Sequence, residues 1–225
     1  MKKSILPVLA MMFAGTAAFA GNVQSNIDEP KQSASDLATK ASWMIILNFD
    51  NTDSLNAAIK VCDQAIAMDA ECVDAYVQRG DANFFLAQYS DALKDFEIAV
   101  QKRGNCDDYQ YRGECKYNLE DLDGALADYQ TAQQKGENDN LSSAILAGGD
   151  ANRLGIKFYN AERYSDAVTA FNISVSTGAT GTNLYNRANS EFQNGDKSSA
   201  LVDWKAAGKL GCKEAKRSYK KFRKA

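Results

Sequence analysis

The chain has 225 residues, of which 45% are hydrophobic and 24% charged, with a formal net charge of -3 and no histidine. The missing imidazole removes the commonest general base and metal ligand, so neither a catalytic triad nor a zinc site is expected. The mildly acidic balance also argues against nucleic acid as a partner, since phosphate backbones are held by surplus cations.

Met1 to Ala20 opens with Lys2 and Lys3, continues through the apolar run ILPVLAMMFAG and ends in Ala18-Phe19-Ala20. This is the pattern of a secretory signal cut after Ala20. A membrane anchor would need about twenty unbroken apolar residues, and Pro7, Gly15 and Thr16 interrupt this run. Gly21 follows the cut where a bacterial lipoprotein would have cysteine, so the mature chain is expected in the periplasm of a Gram-negative bacterium, with secretion as the alternative. Residues 21–35 are polar, contain Pro30 and lack periodicity, which predicts a disordered leader ahead of one folded domain over 36–225.

Asp36 to Asn48 and Thr52 to Met68 predict a first helix pair, with Trp43, Leu47 and Ile59 in its apolar pattern but no glycine at the crossing, an altered terminal copy that is expected of a cap. From Val73 to Asn105, small or apolar residues fall at Tyr76, Gly80 and Asn83, then at Ala92, Leu93, Phe96, Ala99 and Val100. Steps of three and four mean two amphipathic helices. The alanine at the twentieth place of this stretch recurs as Ala58, Ala92, Ala125, Ala167 and Ala200, at intervals of 34, 33, 42 and 33 residues. Such a period predicts a stacked array. The eighth place holds Ile46, Gly80, Gly113, Gly155 and Ala188, and the twenty-fourth Cys62, Phe96, Tyr129, Phe171 and Trp204. Helices approaching to about 8–10 Å need a small residue at the crossing and a bulky one beside it.

The eighteenth place holds Asn56, Ser90, Asp123, Ser165 and Ser198, which are expected to cap the second helix of each copy. Gly104, Gly136, Gly178 and Gly211 are expected to close helices in the left-handed conformation. The longer third interval inserts residues around Asn140 to Gly148, and a lengthened helix is the expectation despite Gly148 and Gly149. In CKEAKRSYKKFRKA, Ala215, Tyr219 and Phe222 share one helical face, which predicts a capping helix over 212–224.

Cys62, Cys72, Cys106, Cys115 and Cys212 form no CxxC pair. Cys62 and Cys115 occupy core-facing places, and Cys72 and Cys106 stand one repeat apart at equivalent junctions, near 10 Å, too far for a disulfide. Cys72 and Cys106 are expected to remain thiols. No glycine-rich phosphate loop or metal-ligand spacing accompanies the carboxylates Asp74, Asp81, Asp107 and Glu114. No cofactor is expected, and the chain is not expected to be an enzyme.

The motif YxxRG at Tyr76 to Gly80, repeated at Tyr109 to Gly113, together with the period and the small-large pairing, resembles the tetratricopeptide repeat (TPR) family. The resemblance covers Thr39 to Gly211, in copies at about 39–72, 73–105, 106–138, 148–180 and 181–211; the family's late proline is absent from each. It implies an all-α, right-handed superhelix of about five helix-turn-helix repeats, whose first helices line a concave groove. With places 4, 7, 8 and 11 in the core, places 2, 5, 9, 12 and 13 point into that groove. They are Asp74, Val77, Asp81, Phe84 and Phe85; Asp107, Gln110, Glu114, Tyr117 and Asn118; Asn152, Ile156 and Tyr159; Tyr185, Asn189 and Phe192.

Rings and amides suit an extended peptide, and the acidic end suits a basic segment of it. The architectural alternative is that the twelfth-place aromatics, Phe84, Tyr117, Tyr159 and Phe192, serve packing alone. The family's clamp for a terminal carboxylate does not match, because the fifth place holds valine, glutamine, asparagine and tyrosine. The expected function is a non-catalytic scaffold binding a peptide or protein of the cell envelope. The alternative is a fixed subunit of an envelope assembly, using repeat edges and the basic C-terminal helix. That helix, with eight basic residues against Glu214 from Lys209 onward, could touch an anionic surface or simply offset the acidic remainder.

Overall fold

The computed structural model describes residues 32–139 and 141–223, with backbone only over 137–148. The expected signal and residues 21–31 of the expected leader lie outside the described residues, as do Asn140, Lys224 and Ala225. From Gln32 the chain is one compact unit. Its described residues form eleven α-helices and no strand: α1 (Ala34–Leu47), α2 (Thr52–Met68), α3 (Val73–Phe85), α4 (Tyr89–Lys102), α5 (Cys106–Asn118), α6 (Leu122–Asp139), α7 (Leu141–Asn160), α8 (Tyr164–Thr177), α9 (Gly181–Gln193), α10 (Lys197–Lys209) and α11 (Lys213–Phe222).

Each helix packs on the next in the chain, and α1 also touches α3, α5 touches α7 and α7 touches α9. Ordering of this kind, with neighbours only, is what stacked pairs produce. The crossings are tight at the expected residues. A Cβ added to Gly80 would come within 2.9 Å of Phe96, to Gly113 within 2.9 Å of Tyr129, and to Gly155 within 2.7 Å of Phe171. The recurrent alanines Ala58, Ala92, Ala125, Ala167 and Ala200 are all fully buried.

The first copy is altered, as expected of a cap, and does not repeat the crossing: Ile46 is 49% exposed, and Trp43 and Leu47, expected in the apolar pattern of the pair, are 54% and 72% exposed. There α1 turns Ala34, Leu37, Ala38, Ala41 and Ile45 inward instead. Helix α1 also begins at Ala34, ahead of the expected Asp36, because Ser33 and Asp36 form a reciprocal capping box.

The second-helix caps lie earlier than the eighteenth place. Asn51, Asp121 and Asp196 accept from backbone N–H groups three residues on, whereas Ser90, Asp123, Ser165 and Ser198 already lie inside α4, α6, α8 and α10, and Asn56 inside α2. The reason is the turn between helices. Ala87, Glu120, Glu162 and Gly195 take φ of 59°, 64°, 59° and 94°, and the following N–H groups of Gln88, Asp121, Arg163 and Asp196 donate back to Asn83, Lys116, Phe158 and Glu191. This closure ends one helix and starts the next with three residues between them.

At the other junctions the glycine expectation holds for two positions. Gly104 and Gly211 have φ of 59° and 95°. Gly178 is extended, and Gly136 lies within α6, its place packed against Cys106 Sγ. The insertion is helical: α7 runs unbroken through Gly148 and Gly149, with 20 residues against 13 in α3, α5 and α9. Among the described residues no helix is long and apolar enough to cross a membrane.

Charges at the seventh and twenty-third places bolt three copies internally. Arg79 Nε and Nη2 donate to both oxygens of Asp95 at 3.0 and 2.7 Å. Arg112 grips Asp128 at 2.9 and 2.6 Å, and Arg187 grips Asp203 at 2.6 and 3.0 Å. The three aspartates are buried. In the first and fourth copies the same places hold Ile45 with Val61 and Leu154 with Ala170, an apolar solution to the same contact. The planar guanidinium supplies two parallel bonds where those copies supply volume.

Candidate functional site

The residues expected in the groove divide into three groups. Val77 and Gln110 are 7% and 4% exposed, so neither faces an open surface. The fifth place is covered because the neighbouring pair closes over it; Val77 belongs to the cluster of Ala92, Phe96, Ala99 and Cys115. A second group is engaged in holding the fold. Asp74 accepts from Arg103 Nη1 at 2.8 Å, and the same guanidinium grips Asp108, joining the second copy to the third. Asn118 Nδ2 donates to the Glu114 carbonyl at 2.8 Å. Asn189 Oδ1 accepts from Trp204 Nε1 at 3.0 Å.

The twelfth-place aromatics also brace helices. Phe84 meets Tyr89 at 5.2 Å and Tyr159 meets Tyr164 at 5.5 Å, both edge to face across the turn. Phe192 lies between Trp204 at 5.3 Å and Phe222 of α11 at 4.5 Å, and Tyr185 packs on the same cluster. Tyr117 sits beneath Lys157 Nζ at 4.2 Å and the Arg153 guanidinium at 5.4 Å. The architectural role of this place is therefore visible in each copy that has it.

What remains open is the surface of α1 and α3 and the acids beside it. Phe85 is 50% exposed and stands 6.0 Å from Phe49, itself 46% exposed. Trp43 and Leu47 lie one turn apart on α1, at the fifth and ninth places that Val77 and Asp81 occupy on α3. These apolar side chains were not among the groove residues expected from sequence, because the first copy was read as a cap. Their signal was a tryptophan and a leucine four residues apart.

Further along, Asp81, Asp107 and Glu114 are half-buried, Asn152 is half-buried and Ile156 is 41% exposed. Burial, with the Glu114 charge added, pushes Asp81 up to about 7. Burial and Asp150 push Glu114 up to about 7 against the pull of Arg153. Arg153 contacts both Glu114, at 3.5 Å, and Asp150. One guanidinium thus serves two carboxylates while Asp81 has no cation within ion-pair distance.

Asn152 also borders a cavity of about 380 Å³ lined by Gly149, Ser174, Thr177, Gly178, Thr180, Thr182 and Asn183. Its lining is hydroxyl and amide, without a charged group. Among the described residues no cluster of three or more histidine, cysteine or carboxylate side chains is placed to hold a metal. Cys72 is a half-buried thiol, not bonded to Cys106. Burial pushes Cys62 up to about 12, which suits an inert core position.

By sequence the chain matches no family model and no curated protein. Its fold is similar to that of YrrB, a TPR protein with an unusual peptide-binding site, with a TM-score of 0.62 and 21% identity over 86% of this chain and 95% of that one. It is also similar to MamA, with a TM-score of 0.58 and 15% identity over 81% and 96%. A third similar structure is the C-terminal part of a TPR repeat-containing protein from Cytophaga hutchinsonii, with a TM-score of 0.54 and 19% identity over 78% and 65%. The chain accordingly has the TPR fold, a superhelix of helical repeats.

Proposed function

We propose that the chain is a non-catalytic scaffold that holds an extended peptide, or an extended segment of a protein, against the first-helix face of α1, α3 and α5. The observation that carries this reading is the run of exposed apolar side chains Trp43, Leu47, Phe49 and Phe85 beside the half-buried acids. Phe49 and Phe85 are in ring contact and Trp43 and Leu47 lie one turn apart; exposed apolar clusters mark interaction sites, and large side chains such as tryptophan and phenylalanine dominate binding energy where they occur. The similar fold of YrrB, a protein with a peptide-binding site, supports the same reading. The secretory pattern at Met1 to Ala20 makes the partner a component of the cell envelope.

The reading is tested by capture of N-acetylated dodecapeptides on the immobilised chain. The wild type binds apolar peptides, and Trp43→Ala with Phe85→Ala weakens capture about tenfold or more while leaving the helical signal intact, because neither side chain is buried. Equal capture by the variant overturns the groove. The exposed basic face of α11, with Lys213, Lys216, Lys220 and Lys221, favours a second reading, a fixed subunit. Its mark would be a stable equimolar complex that survives the groove variant and dissociates in salt. Cell fractionation checks location: a chain beginning at Gly21 is expected in the periplasm.

A further inference from the structure

Asp81 and Glu114 occupy the same place on α3 and α5, so they stand in succession along the face that the peptide would follow. Glu114 shares Arg153 with Asp150, and Asp81 makes no hydrogen bond or ion pair. A carboxylate taken out of water without a partner is costly; Asp81 is such a group, and Glu114, one copy further along, has only a share of Arg153.

A second feature points at the same spot. Tyr129 is fully buried and its hydroxyl has no hydrogen-bond partner. Its ring crosses Gly113, the neighbour of Glu114, and its ionisation responds to Asp150, Glu114, Arg153 and Tyr117. The equivalent residues Phe96 and Phe171 have no polar atom there. Where the equivalent residue does have one, Trp204, its Nε1 reaches the ninth-place side chain, Asn189. The Tyr129 hydroxyl is thus a buried polar atom without a partner, at the place from which Trp204 reaches the ninth-place side chain of its own copy.

We propose that Asp81 and Glu114 form a socket for one lysine or arginine side chain of the bound peptide, with the Tyr129 hydroxyl as the buried donor behind Glu114. The assignment rests on the peptide-binding reading and names what the groove selects. A guanidinium or ammonium between the two acids makes charge-assisted bonds to both and supplies the positive charge that Arg153 divides between Glu114 and Asp150. The titratable and charged groups around the socket are Asp107, Asp108 and the neutral Tyr111 on α5, Asp150 and Arg153 on α7, and Asp63, Arg79 and Asp95 beyond Cys62; Arg79 is already held by Asp95 and Asp63. Phe85 lies one helical turn from Asp81, so the selected residue is flanked by an apolar one.

The test uses a pool of N-acetylated, C-amidated dodecapeptides randomised at the central positions, so that no terminal amine competes, captured on the full chain at neutral pH and sequenced. The wild type enriches lysine or arginine at one position by about tenfold, the factor that one charge-assisted contact supplies. D81N/E114Q still captures apolar peptides but loses that enrichment; where the double variant fails to fold, D81N alone shows the same loss. Capture by the wild type without basic enrichment, or enrichment that survives D81N/E114Q, overturns the socket and leaves peptide binding standing. Absence of any capture by the wild type overturns both.

Discussion

Ala87, Glu120 and Glu162 hold a left-handed backbone that costs a residue with a Cβ about 1–2 kcal/mol. The fifth copy uses Gly195 at the same point of the turn. Ala87 is exposed, so Ala87→Gly removes the strain without losing a contact; after the entropy that glycine gains in the unfolded chain, a net stabilisation of about 0.5–1 kcal/mol is expected. Thermal unfolding of the variant measures it. The turn was hidden in the sequence because alanine and glutamate carry no signal for that conformation, and the expected caps slipped two residues as a result. Hidden for another reason was the bolt between Arg79 and Asp95, since paired charges read as solvated surface until the fold brings them together. Arg79→Leu alone leaves Asp95 buried and is expected to cost about 2–4 kcal/mol, less than a fully buried pair because Arg79 is partly exposed. Adding Asp95→Ala reproduces the Leu154 and Ala170 of the fourth copy and should recover most of that loss in denaturant titrations. If the double variant is as unstable as the single one, the two solutions are not equivalent.

The second, third and fourth helix pairs were legible from glycine and aromatic spacing alone, because each glycine is there to admit a ring. Gly155 is the tightest, with Phe171 at 2.7 Å from an added Cβ. Gly155→Ala is expected to destabilise by about 1–3 kcal/mol through overpacking, and Gly155→Ala with Phe171→Leu to be milder; chemical denaturation of both checks it. Helix α1 was harder to read. Its apolar residues outnumber those it can bury, so the apolar pattern that took in Trp43 and Leu47 did not show which of them stay exposed. The wheel that found Asp81, Phe85 and Glu114 likewise placed Val77 and Gln110 at the surface, because it gives the direction of a side chain but not the position of the next helix.

For the molecule as a whole, buried acids set the dependence on pH, with Asp95 and Asp150 raised by burial among them. Asp81, Glu114 and Glu191 each rise to about 7, burial being the largest cause in all three. Their folded values exceed the unfolded ones, so the folded state binds more protons in the interval between, and the stability they confer is present at low pH and lost as pH rises through about 7. The opposing groups, Asp36, Asp123, Asp196 and Glu214, are lowered in the fold, and their contribution is lost only as pH falls below about 4. The melting temperature of the free chain is therefore expected to be higher at pH about 5 than at pH about 8, with D81N/E114Q showing a flatter profile. A melting temperature that climbs with pH over this range contradicts the burial of these acids. At the far end of the array, Phe222 stacks on Trp204 at 5.5 Å and covers Phe192, the surface on which another helix pair would have to settle. At the first copy, by contrast, Trp43 and Leu47 of α1 remain bare. A lineage of this chain could thus gain units by duplication within its middle, but not by appending them after the last one.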